Sequence, residues 1–85
     1  MPARISAIVP IFNVRAYLEP CLESLAHQTM EDLEVVMVDD GSTDESVDIA
    51  ERFAARDGRF RLVRQPNAGL GAARNTGIDH ARGEL

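Results

Sequence analysis

The stretch VVMVDDGSTDES, from Val35 to Ser46, decides the fold class of this 85-residue chain. Its apolar part belongs to a continuous run from Leu33 to Val38, which is typical of a parallel strand covered on both faces. Two aspartates and a glycine follow directly, and residues of these types favour a tight turn. Ser42 to Glu45 then has the spacing of a capping box. The stretch therefore predicts a buried strand, a short loop and a helix that begins at the capping box.

A strand and a helix are also predicted upstream of this stretch. Ile5 to Val9 is a short β-branched run ended by Pro10, as a buried strand would be. Apolar residues then recur at three- and four-residue spacing from Val14 to Leu25, which indicates an amphipathic helix. Pro20 lies inside that pattern, so we expect a kink there or a short first turn and a restart.

Downstream, the pattern predicts the rest of the second helix, a third strand and a third helix. Asp57-Gly58 supplies the stop of the second helix. Phe60 to Arg64 is a short strand, and a loop with proline and glycine follows it. Leu70 to Ala81 is an alanine-rich helix that is interrupted by Gly77 and ends at Arg82-Gly83. We expect Gly77 to let this helix approach the sheet.

The predicted order is therefore β-α-β-α-β-α in a single domain that covers residues 1–85. Parallel strands joined by right-handed crossovers bury such two-sided apolar runs, which predicts half of a three-layer, Rossmann-like α/β sheet. Ligands of such sheets bind beyond the carboxyl ends of the strands. The candidate loops are residues 10–13, 39–43 and 65–71.

Composition excludes several classes of function. Nine basic residues, all arginine, face 14 acidic ones, and a net charge of −5 argues against nucleic acid as a partner. Mechanisms that need a lysine are excluded because the chain has none. The single cysteine, Cys21, rules out an internal disulfide and fits a reducing compartment, so we expect a cytoplasmic location. His27 and His80 fall on polar helix faces or ends, and we assign them no chemistry.

The sequence allows two roles for Asp39 and Asp40. Both can be turn residues that accept hydrogen bonds from nearby backbone amides. Alternatively, one caps the loop while the other faces a ligand with N–H or hydroxyl donors, such as a nucleobase edge or a ribose. A dinucleotide-binding fold would need G-x-G-x-x-G after the first strand, and a phosphorelay receiver would need a lysine. Neither feature is present in this sequence.

Three motifs in order resemble the family 2 glycosyltransferases, which are inverting enzymes of the GT-A fold. They are AIVPIFN at the end of strand one, VVMVDDGSTDES at the end of strand two, and NAGLGAARNTGIDHARGE at the start of helix three. The resemblance runs from Ile5 to Leu85. It implies transfer of a sugar, with inversion, from a nucleotide-activated donor such as a UDP-sugar to an acceptor hydroxyl.

The resemblance also implies a nucleotide-binding role for residues in all three loops. It implies that Asp39 accepts a hydrogen bond from the uracil ring nitrogen, that Asp40 binds backbone and shapes the turn, and that Arg74 lies near the base and diphosphate. Two alternatives stay open: Phe12 can instead pack in the core, and Arg74 can pair with Asp79. The implied nucleotide-binding residues are Pro10, Phe12, Asn13, Asp39, Asp40, Asn67, Gly69, Arg74 and Asn75.

In this family a fourth strand ends in an Asp-x-Asp motif that holds Mg²⁺ or Mn²⁺, and a catalytic base follows later in the chain. The sequence stops at Leu85, where that strand would begin. We therefore expect no metal site within these 85 residues and no sugar transfer by them alone. The alternative is a non-catalytic module that binds a nucleotide or assembles.

The same order of strands leaves strand one at the edge of the sheet. An apolar edge from Ile5 to Val9 can pair with another chain, so we expect a homo-oligomer. Membrane association of the complete protein is compatible with the sequence.

Overall fold

The computed structural model describes residues 5–29 and 31–82. Three strands alternate with three helices in the predicted β-α-β-α-β-α order. The bounds are β1 Ile5–Ile11, α1 Arg15–Ala26, β2 Leu33–Asp40, α2 Ser46–Arg56, β3 Phe60–Gln65 and α3 Leu70–His80. Gly83, part of the predicted end of the third helix, lies outside the described residues.

The strands form one parallel sheet in the order β1-β2-β3, with β2 in the centre. All eight residues of β2 are buried, as its continuous apolar run predicts. On one face of the sheet, Val35 and Met37 pack with residues of α1 and α2. On the other face, Val36 and Val38 pack with Ala73 of α3. The predicted three-layer architecture is confirmed.

Two prolines lie inside elements of the structure. Pro10 does not end the first strand, which continues through it to Ile11. An edge strand tolerates proline because only one of its sides needs backbone donors. Pro20 lies inside the continuous helix α1. The turns on either side of Pro20 are anchored by Leu18 and Leu22, both buried, so the helix is held through the missing backbone bond.

The predicted capping box is wrong. Helix α2 begins at Ser46, and Glu45 occupies the N-cap position without a side-chain capping bond. Glu45 instead forms an ion pair with Arg15 of α1. The Ser42 hydroxyl oxygen accepts a hydrogen bond from the backbone N–H of Asn13, at 3.1 Å. Contacts with the β1–α1 loop and with the first residue of α1 thus take both side chains away from the local capping pattern.

Helix α3 lies close to the sheet because Gly77 has no side chain. An added Cβ at this position would collide with the side chain of Ile8 and would lie 3.3 Å from Cγ2 of Val38. The expectation that Gly77 allows this close approach is confirmed.

Two surface properties bear on assembly and location. Within the described residues β1 pairs only with β2, so it is an edge strand of this sheet. No helix in the described ranges combines the length and the apolar character that a membrane crossing requires.

Candidate functional site

The carboxyl ends of β2 and β3 and the loops that follow them border an open cleft of about 450 Å³. This is the edge of a parallel α/β sheet at which ligands bind. The cleft is lined by Asp39, Gly41, Ser42, Arg64, Gln65 and Pro66.

Asp39 brings an unsatisfied acceptor to this cleft. The residue is 2% exposed, and its Oδ2 accepts a hydrogen bond from the backbone N–H of Ser42 at 3.3 Å. Its Oδ1 is buried and has no hydrogen-bond partner among the described residues. A buried polar atom without a partner costs about 1–3 kcal/mol, so this oxygen is suited to a donor supplied by a ligand.

Both carboxylate oxygens of Asp40, in contrast, accept hydrogen bonds from the protein. Its Oδ1 accepts from Gln65 Nε2 at 2.9 Å and from the Ala68 N–H at 2.8 Å, and its Oδ2 accepts from the Gly69 N–H at 2.9 Å. The bond from Gln65, together with the two backbone amides, lowers the pKa of Asp40 although desolvation opposes this shift. Asp40 therefore holds the β3–α3 loop, whereas the sequence indicated a role in the turn directly after β2.

The loops after β2 and β3 interlock through Gly41 and Asn67. The Asn67 side-chain amide donates to the backbone carbonyl of Asp40 at 3.1 Å. Gly41 has φ of 77°, and a Cβ there would lie 2.8 Å from the backbone nitrogen of Asn67. Gly69 also has a positive φ, 98°, directly before α3. Glycine is needed at residue 41 both for its conformation and for its lack of a side chain.

Asn13 joins the β1–α1 loop to the loop after β2. Its Oδ1 accepts from the backbone N–H groups of Thr43, at 2.8 Å, and Asp44, at 3.3 Å. Asn13 has φ of 51°, which asparagine tolerates better than most residues. Asn13, which is predicted to bind the nucleotide, thus holds the β1–α1 loop against the loop after β2.

Two further predicted residues lie at the end of β1 and directly after it. Pro10 is half-buried within β1, in register with Val38. Phe12, in the loop after β1, is 39% exposed, so the alternative that it packs in the core is not what the structure shows.

Arg74 and Asn75 are exposed on α3 and do not line the cleft. Among the described residues, no ion pair joins Arg74 to Asp79. The pairing alternative therefore has no support in the structure.

Sequence reasoning missed Arg64 as a residue of the cleft. Phe60, Leu62 and Arg64 alternate along β3, and the first two carry apolar side chains that pack on the α1–α2 face of the sheet. A charged residue at the third position of that face, at the carboxyl end of a strand, was the available signal.

The described residues do not fit a divalent metal. They contain no group of three or more His, Cys, Asp or Glu side chains that could hold one. The two adjacent aspartates cannot form such a group, because Asp39 and Asp40 point to opposite faces of β2.

Residues 6–85 match the sequence profile of Glycosyl transferase family 2. The chain belongs to this family. The members that it resembles include the uncharacterized glycosyltransferase EpsJ of Bacillus subtilis (strain 168), which is 51% identical over 79 residues. This alignment covers 93% of the chain and 23% of EpsJ.

Solved structures of glycosyltransferases share the fold. TarS of S. aureus in complex with UDP-GlcNAc superposes with a TM-score of 0.86 at 34% identity, over 94% of this chain and 24% of that one. The mannosyltransferase PcManGT of Pyrobaculum calidifontis, in complex with GDP-Man and Mn²⁺, gives 0.76 at 30% identity, over 95% and 26%. The family 2 chain described here thus spans about a quarter of the length of these relatives.

Proposed function

We propose that this chain is the nucleotide-binding part of a glycosyltransferase that transfers a sugar from a UDP-sugar to an acceptor hydroxyl, with inversion. The observation that carries the proposal is the buried Oδ1 of Asp39, which lacks a partner among the described residues and belongs to the lining of the cleft. A uracil ring supplies one N–H, which matches one available acceptor.

A uridine donor is favoured over a guanosine donor because one oxygen of Asp39 lacks a partner. Asp39 Oδ2 already accepts from the Ser42 N–H, whereas Oδ1 has no partner among the described residues. Guanine presents two adjacent donors, a ring N–H and an amino group, and the second would have to share Oδ2 with the Ser42 N–H. The complex of TarS with UDP-GlcNAc supports the choice of uridine.

The remaining predicted residues frame the nucleotide in this proposal. Phe12 offers an exposed ring to the nucleoside, with Pro10 and Asn13 beside it. Arg74 and Asn75 contact the nucleotide from α3, and a guanidinium provides permanent positive charge for the diphosphate.

Asn67, Asp40 and Gly69 act indirectly, because they hold the β3–α3 loop against the end of β2. They set the position of the loop rather than contact the ligand.

In the complete enzyme we propose that Mg²⁺ or Mn²⁺ neutralises the diphosphate charge. The Mn²⁺ in the PcManGT complex supports this assignment. The metal ligands lie outside the residues described here, so the chain's own contribution is to bind and orient the nucleoside.

The test is an amide NMR titration of the chain with UDP and GDP, with and without Mg²⁺. UDP is expected to shift peaks in the loops after β1, β2 and β3, independently of Mg²⁺, and GDP to bind more weakly. Asp39→Asn keeps the side-chain shape but presents an amide to the base, so it should weaken UDP binding at least about tenfold.

Asp48→Asn, an exposed position on α2, is the matched control and should leave UDP binding unchanged. A well-dispersed spectrum that does not change when UDP is added would refute the proposed function. So would UDP binding by the Asp39→Asn variant that is as tight as that of wild type.

A further inference from the structure

We propose that Arg64 is a second base-reading residue, whose guanidinium donates to the base carbonyl next to the N–H that binds Asp39. This inference rests on the proposed function, because it concerns the same nucleotide site. It assigns a ligand contact to a residue of β3 that lies outside the three motifs of the family resemblance.

The register of the sheet places Arg64 beside Asp39. The two residues are Cα partners across the parallel β2–β3 pair. Partners in adjacent parallel strands lie about 5 Å apart and point to the same face. Both residues line the cleft, so their side chains enter it side by side.

Arg64 is available for a ligand, whereas four other arginines of the described residues are held in ion pairs. Its side chain is exposed and makes no ion pair or hydrogen bond with the described residues. Four other arginines are held by carboxylates of the protein: Arg15 by Glu45, Arg56 by Glu23, Arg59 by Asp57 and Arg61 by Glu34.

The strand pattern gives no packing reason for a charge at this position. Phe60, on the same face of β3, is 3% exposed and belongs to the core, and Leu62 packs against it. Arg64 continues this alternation where the sheet ends and the cleft begins. A charged side chain here is explained by the cleft rather than by the core.

The two side chains together match the edge of a uracil ring. Asp39 supplies one available acceptor, and Arg64 supplies a planar set of donors next to it. In uracil the N–H lies between two carbonyl groups, so a donor and an acceptor are adjacent. An N–H accepted by Asp39 leaves a carbonyl facing the neighbouring strand, where Arg64 lies.

The test compares Arg64→Met with Arg52→Met by NMR titration of uridine and UDP. Arg52 is an exposed arginine of α2 that does not line the cleft. Arg52→Met therefore removes the same positive charge as Arg64→Met, but away from the site. Arg64→Met should weaken UDP and uridine by the same factor, about tenfold or more, because the lost bond is to the base. Arg52→Met should change neither affinity.

Two further probes separate the base from the diphosphate. Arg64→Lys keeps the charge but loses the planar fork, so it should recover little of the lost affinity. Sulfur is a weak hydrogen-bond acceptor, so replacing the carbonyl that Arg64 contacts should weaken binding. Either 2-thiouridine or 4-thiouridine should therefore bind wild type more weakly than uridine does. The same analogue and uridine should bind Arg64→Met with equal affinity.

A loss confined to UDP, or full recovery by Arg64→Lys, would assign Arg64 to the diphosphate and overturn the inference. Unchanged uridine binding by a folded Arg64→Met variant would also overturn it. If UDP binds and Asp39→Asn abolishes binding while Arg64→Met does not, the proposed function stands and only this inference fails. Absence of any nucleotide binding by folded wild type would overturn both.

Discussion

At the scale of single residues, two adjacent aspartates do different work because successive side chains of a strand point to opposite faces. Asp39 faces the cleft with one unpartnered oxygen, whereas Asp40 accepts three hydrogen bonds from the β3–α3 region. We therefore propose that Asp39 serves the ligand, whereas Asp40 holds the loop that borders the cleft.

We expect Asp40→Asn to lower the midpoint of thermal unfolding, because an amide cannot accept from all three donors at once. Asp79→Asn, exposed on α3, is the control and should change it little. The folded-state pKa of Asp40 is depressed, chiefly by Gln65, so its stabilisation is present above the unfolded pKa and is lost as pH falls through the folded pKa. The difference from wild type should therefore shrink below about pH 4.

Thermal unfolding from pH 7 to pH 2 measures this difference. A difference that is constant over the whole range would show that the charge of Asp40 does not hold the loop.

At the scale of elements, contacts between loops replaced the local signals that the sequence offered. Glu45 and Ser42 have capping-box spacing, yet both bind residues around the start of α1. Gly77 shows the opposite case, since a single small residue in a helical pattern correctly indicated close packing. A pattern is reliable when no distant group competes for the same side chain.

Gly77→Ala is expected to destabilise the fold by about 1–3 kcal/mol, because the added Cβ would push α3 away from Ile8. Gly71→Ala is the matched control on the same helix, since a Cβ there meets nothing within 4 Å. It should be neutral or stabilise by up to about 1 kcal/mol through helix propensity. Chemical denaturation measures both.

Adding Ile8→Ala to Gly77→Ala tests the cause, because the double variant should be more stable than the sum of the two single effects predicts. Strict additivity would mean that this contact is not what the glycine relieves.

At the scale of the whole molecule, the sheet has an uncovered edge at β1 within the described residues. Ile5 is 38% exposed on this edge strand. An apolar edge offers unpaired backbone groups to a second copy.

We expect sedimentation of the 85-residue chain at micromolar concentration to show a dimer or larger assembly. Ile5→Lys should shift it towards monomer, because charge on an edge strand opposes pairing. Ile78→Lys is the control, since Ile78 is 41% exposed on α3, away from the edge. A folded wild-type monomer, or equal dissociation by both variants, would refute assembly through β1.

The sequence by itself determined the element order, the parallel sheet and the loops that border the cleft. Continuous apolar runs, turn residues and helical spacing are local signals, and they depend little on what lies elsewhere in the chain. The motifs that carry the family resemblance are likewise contiguous. Of the two aspartates, the sequence also indicated which one would bind backbone.

Only the tertiary structure decided which side chains share the cleft. Arg64 and Asp39 are 25 residues apart and become neighbours through the register of β2 with β3. Arg74 lies on α3 outside the cleft lining, although its motif is adjacent to the loop. Register, helix position and competition for hydrogen-bond donors arise from packing over the whole sheet, and no local pattern specifies them.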